Sequence, residues 1–519
     1  MLMAKWNLGL FRERDSSKTP WGLEFRSSDM FIVSTISIAV FTDMFLYSVI
    51  VPVMPFALSS RAQIHPNDVQ YWVSILVAIY GAALVFFSPF CGWIADRTSS
   101  RRLPLLFGLV ALGVATAVLN VGTSIGVLIL GRVLQGLSAA IVWIVGLALL
   151  VDTVGPQRIG QATGWVGIAM SLGILLGPLL GGIVFDKAGY YVVFAMAYVL
   201  IGVDIVLRLV LIEKKVALKW LPKEQPSPST EPPQVDAQGA LTGNEDITKD
   251  IEMVANTAED LPISAPSGTG SDFPATDQAN PSLAQKGRFN LPPVVTLLAS
   301  RRLLSALWGI MVQAALLTSF DAVVPLFTHN VFGWDSIGAG LIFLTITIPF
   351  VIGPVVGALS DKYGPRWLAT AGFIMACPFL VLLRLVHENT VKQKVLLCAL
   401  LAMIGTALNL TLPPTMAEVS YIVALKEEQS KKLNNGKSVF GDKGAYAQAY
   451  ALFNMAYAAG CVVGPIWAGM VNQTAGWGTM SWSLGALSAV TAVPTVIWCG
   501  GSIFKKMKSR RQEIARSDA

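Results

Sequence analysis

The chain has 519 residues, of which 54% are hydrophobic and 13% charged, and its mean hydropathy is +0.59. Soluble domains carry about 25% charged residues, so this composition excludes an ordinary soluble enzyme and a disordered protein. The net charge of +6 raises the question of which side of a membrane the Lys and Arg occupy, and makes nucleic-acid binding an unnecessary reading.

About 20 apolar residues in a row span a bilayer, and twelve segments of that kind are predicted: 30–57, 70–94, 104–122, 127–151, 161–185, 189–212, 303–328, 337–359, 368–386, 394–417, 446–471 and 480–503. The fold class expected is an all-α membrane protein of two six-helix halves, 30–212 and 301–503. Residues 1–29 read as a cytoplasmic tail without the apolar core of a cleavable signal peptide, and 504–519 as a basic cytoplasmic tail. Between the halves, 213–300 is rich in Pro, Ser, Thr, Asp and Glu and reads as a disordered cytoplasmic linker.

With the N-terminus inside, Arg12, Arg26, Arg101, Arg102, Arg158, Lys214, Arg366, Lys432 and Lys505 all fall in inner segments, while outer ones hold little beyond Arg61, Lys187, Lys392 and Lys394. This is the positive-inside pattern, and it places both termini in the cytoplasm. The five cysteines sit singly in apolar runs and the three histidines are scattered, so neither a disulfide framework nor a metal site is expected.

Two motifs recur. Gly92-x-x-x-Asp96-Arg97, followed by Arg101 and Arg102, closes the second span; Gly357-x-x-x-Asp361-Lys362, followed by Arg366, closes the eighth, 265 residues later. Gly92 is read as allowing a tight turn, and the charges as an inner latch that holds the halves together in one conformation. Gly173, Gly177, Pro178, Gly181 and Gly182 in the fifth span match Gly460, Gly464 and Pro465 in the eleventh, 287 residues later, with the polar loop near Lys426–Lys443 absorbing the difference. Such runs let helices approach closely and bend, and suggest a hinge surface on which the halves rock. Duplicated motifs at matching places mark two related halves, as in a parallel-repeat transporter.

Ionisable groups at membrane depth are functional candidates by default. Asp43 comes first, for proton coupling or for binding a cation, then Asp321 and Arg132; a structural hydrogen bond is the alternative for each. Asp204 and Arg208, four apart on one helix, are expected to pair with each other. Tyr446, Tyr450, Asn454 and Tyr457 share one helical face, and with Tyr47, Trp143, Trp308 and Asn409 they are candidates for lining a wet aromatic cavity between the halves. Asn472-Gln-Thr474 is a possible glycosylation sequon close to the membrane.

The Gly92–Arg102 motif, Gly131-Arg132-Val-Leu-Gln135-Gly136 and the Gly173–Gly182 run together resemble the major facilitator superfamily, over nearly all of the chain outside the linker and tails. The last motif resembles that of the twelve-spanning drug:proton antiporters. Asp43 with Tyr47 and Pro52, and Asp321 with Pro325, resemble the vesicular amine transporter branch, and the linker and the loop after the tenth span resemble its fungal members. The chain departs from that branch at Asn409, where an aspartate stands, and at Tyr80 and Asn454, which take the places of a lysine–aspartate pair. The departures bear against a monoamine substrate and leave the antiporter scaffold. The resemblance implies a secondary transporter, not an enzyme. Proton-coupled efflux of a drug, toxin or secondary metabolite by alternating access leads, and an importer, a uniporter or a membrane receptor are the alternatives. No cofactor is expected, the proton gradient being the driving force; the partners are a small molecule, protons and the bilayer. A monomer in the plasma membrane is expected, with a vacuolar or vesicular membrane as the alternative.

Overall fold

The computed structural model describes residues 20–98, 100–154, 159–217, 220, 298, 300–433 and 446–501. Among the described residues, eleven stretches are long and apolar enough to cross a membrane. The last of them, within Tyr446–Trp498, is two helices joined at Gly476, whose φ of 81° and ψ of 169° are not helical, and this gives twelve. The first half comprises α1 (Asp29–Val49), α2 (Pro66–Arg97), α3 (Arg102–Val121), α4 (Ile125–Val154), α5 (Ile159–Ala188) and α6 (Tyr190–Val210). The second comprises α7 (Arg301–Phe332), α8, α9 (Pro365–Leu382), α10, and α11 and α12 on either side of Gly476.

Three expected spans are interrupted, each by proline. The segment 30–57 becomes α1 and a short helix, Met54–Ser60, because Pro52 and Pro55 have no N–H to give to a continuous helix. α8 runs as Ser336–Thr347, tightens to a 3-10 turn over Ile348–Ile352, and resumes as Gly353–Tyr363. α10 breaks between Val391–Asn409 and Leu412–Leu433, just before Pro413 and Pro414. Its second piece extends well past 417, so Lys426–Leu433, read as the start of a polar loop, is helix.

α1, α4 and α7 are mostly buried, whereas α3, α6 and α9 expose most of their apolar surface. In a bilayer that surface meets lipid, so hydrophobicity all round a helix is compatible with a peripheral place. Starts are fixed by side-chain caps: Ser28 Oγ accepts from Phe31 N at 3.2 Å, and Asp335 Oδ1 from Gly338 N at 2.9 Å.

Six crossings per half return the chain to one face, which holds Pro20, Glu213, Ser300 and Gly501; we call it the linker face. The expected latch residues lie here, and the structure corrects their reading. Gly92 and Gly357 are inside helices, and a methyl on either would meet open space, so neither closes a turn. The turn that needs glycine is at Gly364, where φ is 85°. Arg101 pairs with Asp152 at 3.3 Å, and Arg102 N donates to Glu213 Oε1 at 2.8 Å, all within the first half. Arg366 Nε donates to Cys499 O at 2.6 Å, while Glu418 pairs with Arg302 and accepts from Gly500 N at 2.8 Å, all within the second. Lys362 lies over the Tyr363 ring. These bonds tie helix ends together inside each half and do not bridge the halves in this conformation. The side chains of Asp96, Arg97 and Asp361 lie outside the described residues.

The glycine runs are also reassigned. Gly173, Gly177 and Gly181 recur every four residues and face α1, where a methyl would strike Phe41, Ser48 and Val49. Gly460 and Gly464 face Met311 and Ala315 of α7 in the same way. These glycines therefore pack helices within a half. Gly182, one position round the helix, meets the other half at Ser336, and Pro178 meets it at Gly340. Pro178 and Pro465 both lie inside their helices.

Candidate functional site

The halves meet along two seams, α2 against α11 and α5 against α8. Toward the far face both are shut: Gln70 Nε2 donates to Ala322 O at 3.0 Å, Gln473 Nε2 to Asn67 O at 3.1 Å, and Ser336 Oγ to Gly182 O at 3.1 Å. The rings of Phe56 and His329 also pack edge-on across the halves at 5.3 Å. Toward the linker face the halves diverge around a cavity of about 720 Å³. That is within the range of pockets that hold small organic molecules.

At the closed end of the cavity, Tyr47 Oη of α1 donates to Asp321 Oδ2 of α7 at 2.8 Å. The Tyr47 ring lies 4.6 Å from that of Tyr80, and the guanidinium of Arg132 stands 5.8 Å from it. Arg132 is 0% exposed, donates to Gln135 Oε1 at 2.9 Å, and does not line the cavity. It is thus a positive charge behind the Tyr47 ring, not a contact for an anionic substrate. Asp43, one turn before Tyr47, is also 0% exposed and sits behind the wall, facing Trp143 without a hydrogen bond of good geometry to either oxygen. Asp321 is the only carboxylate among the described lining residues, and none of those residues is Lys, Arg or His. Of the two aspartates, the one in contact with the cavity is Asp321. Asp204 and Arg208 form the expected pair at 3.3 Å within α6.

Tyr47, Trp143, Asn409, Asn454 and Tyr457 all line the cavity. Asn409 Nδ2 donates to Pro349 O at 2.8 Å, which satisfies a carbonyl in the 3-10 turn of α8. Asn454 Nδ2 donates to Ser88 Oγ at 3.1 Å, not to Tyr80. The side chain of Tyr450 lies outside the described residues. Trp308 does not reach the cavity: it is 40% exposed, and its indole donates to Thr491 Oγ1 at 3.2 Å. It precedes Asp321 by 13 residues on one helix, which turns it roughly 220° away. Asn472 is half-buried in α11 near the far face.

Sequence reasoning missed Cys461, which lines the cavity four residues beyond Tyr457; the face carrying Asn454 and Tyr457 simply continues to it. It also missed the wall of Met170, Met416, Phe343 and Phe350, which carries no polar signature.

The comparisons agree with this architecture. The family model of the Major Facilitator Superfamily matches residues 36–429. The chain is 32% identical over 493 residues to MFS-type transporter ppzB of Metarhizium rileyi, covering 93% of this chain and 97% of that one. It is 34% identical over 449 residues to an uncharacterized MFS-type transporter of Schizosaccharomyces pombe, covering 86% and 91%. Among solved structures, the human organic anion transporter MFSD10 (TETRAN) superposes with a TM-score of 0.57 at 16% identity, over 90% of this chain and 99% of that one. The chain belongs to the major facilitator superfamily, and is a multi-pass membrane transporter, not an enzyme.

Proposed function

We propose that this transporter exports a small organic molecule in exchange for protons, by alternating access. The observation that carries the reading is the Tyr47–Asp321 hydrogen bond, 2.8 Å long and made between the two halves at the closed end of the cavity. A substrate that donates a hydrogen bond or carries positive charge replaces the Tyr47 hydroxyl on Asp321. Loss of that tie favours opening of the far face. There a proton on Asp321 displaces the substrate, since a neutral acid is a poorer acceptor than a carboxylate. The protonated carrier then closes the far face, and the proton leaves on the linker side.

The basic residues of the linker face support a cytoplasmic placement for it by the positive-inside rule. The open cavity is then a loading site for export, with the proton gradient as the driving force, no cofactor, and a monomer as the working unit, in the plasma membrane. The human structural neighbour is named for organic anions, but the described cavity wall here has no cation to receive one.

The test is flux in sealed proteoliposomes under an imposed pH gradient. Export driven by the gradient and lost in Asp321→Asn supports the reading. Gradient-independent flux, or full coupling in the Asp43→Asn, Asp321→Asn double variant, rejects it.

A further inference from the structure

The two halves of the α5–α8 seam differ. Toward the far face it is dry and tight, with Gly182 against Ser336 and Gly340 against Pro178, too close for any added methyl. Toward the linker face the same two helices present Gly164, Gly167 and Gly357, all lining the cavity, and a methyl on any of them meets nothing within 4 Å. Ile168, Leu172 and Val351, which line the cavity beside these glycines, are apolar and 37%, 40% and 59% exposed. At this level α8 becomes the 3-10 turn Ile348–Ile352, none of whose residues is buried. The slot residues fall within Gly164–Ala188 and Ser336–Ser360, two stretches long and apolar enough to cross a membrane.

From this slot we infer that the cavity takes its substrate sideways out of the bilayer, from the leaflet on the linker side, between α5 and α8. The inference rests on the transport reading above and names its cargo: a lipid-soluble amphiphile, neutral or cationic. Water in the slot would wet Ile168, Leu172, Val351 and the neighbouring Val355, whereas acyl chains match them; the slot hydroxyl of Ser171 already donates to Gly167 O at 2.9 Å. The exposed backbone of the 3-10 turn does not contradict this, because Asn409 satisfies the Pro349 carbonyl from the cavity side. Inside, Asp321 offers a charged acceptor and the wall holds no described cation, so a lipid-soluble anion finds no counter-charge.

Spin labels on Gly167→Cys and Gly357→Cys test the inference in proteoliposomes of the full chain. Their collision with oxygen, which concentrates in lipid, is compared with that of a water-soluble nickel chelate. Val199→Cys, on the lipid-facing side of α6, and Glu388→Cys, in a far-face loop, set the two limits. An oxygen-to-nickel ratio nearer to that of Val199→Cys at both slot positions is expected. A ratio nearer to that of Glu388→Cys shows a water-filled opening and overturns lateral entry. If a glycine variant fails to fold, Ser171→Cys and Val351→Cys report on the same slot. The readout involves no flux, so a water-filled slot leaves proton-coupled export standing, while failure of gradient-driven flux in the same vesicles rejects that reading independently.

Discussion

Asn454 of α11 donates to Ser88 of α2 at 3.1 Å, two helical turns nearer the linker face than Tyr80. The polar link between these helices is therefore neutral, and it leaves Tyr80 without a share in it. It keeps the α2–α11 seam closed beside the cavity while the α5–α8 seam parts, so the opening is lopsided.

Asn454→Ala removes this bond, while Ser88 keeps its bond to Leu84 O. A neutral hydrogen bond contributes about 0.5–1.5 kcal/mol. The maleimide labelling rate of Cys461, which packs on Gly81 along the same seam, should rise by up to roughly 10-fold. An unchanged rate at Cys461, followed by peptide mass spectrometry, refutes the role of this bond in the seam.

Tyr47→Phe and Asp321→Asn separate the tie from the titration. Tyr47→Phe loses a hydrogen bond to a charged group, about 1.5–3 kcal/mol, and should shift the equilibrium toward an open far face by at least roughly 10-fold. Distances between labels on Ser60→Cys and Glu388→Cys, which sit in opposite halves at that face, read the shift. Asp321→Asn keeps an acceptor of the same shape but carries no proton. Being neutral like the protonated acid, it should bind substrate more weakly, lose at least roughly 10-fold of gradient-driven flux, and leave a residual flux that no longer responds to the pH gradient.

Asp43→Asn should do less. Asp43 lies behind the wall and not in it, so its neutral isostere is expected to lower gradient-driven flux by no more than a few-fold. A loss as large as that of Asp321→Asn would make Asp43 a second obligatory carrier.

Gly182→Ala and Gly167→Ala probe two levels of one seam. The first drives a methyl into the Ser336 backbone, and overpacking of this kind costs about 1–3 kcal/mol. It should shift the far face toward its open form in the same label-distance measurement. The second adds a methyl in open space and should leave that distance distribution unchanged.

Glu418→Ala should be the most damaging change away from the cavity. Glu418 is 1% exposed, pairs with Arg302 and caps Gly500 N. Breaking a buried pair from one side costs about 3–5 kcal/mol, somewhat less here because Arg302 reaches solvent. Thermal unfolding in detergent should show a clear loss of stability, which Glu418→Asp only partly recovers.

What the chain discloses before folding depends on the range of the interaction. Spans follow from runs of apolar residues, which are local, so the twelve segments and their order are legible. Helix breaks are not, because one proline lies within an unbroken helix (Pro89 in α2) while another lies at a break (Pro413, at the start of the second piece of α10). The cavity face of α11 can be read from spacing alone. Trp308 cannot be placed by residue type, since an aromatic on a central helix faces the cavity only if its angle to Asp321 allows it. Which of Asp43 and Asp321 touches the cavity is illegible for the same reason: only the packing of the helices places Asp321 in the wall and Asp43 behind it.

The Tyr47 hydroxyl is an internal competitor. A cargo that takes the Asp321 Oδ2 site held by Tyr47 must first evict a ligand that the protein supplies itself. The measured affinity of such a cargo is what remains after that eviction, lower by about tenfold for every 1.4 kcal/mol of the bond it replaces. A site built this way holds its cargo loosely and refills itself as soon as the cargo leaves, which suits a machine for passing molecules along and not for storing them.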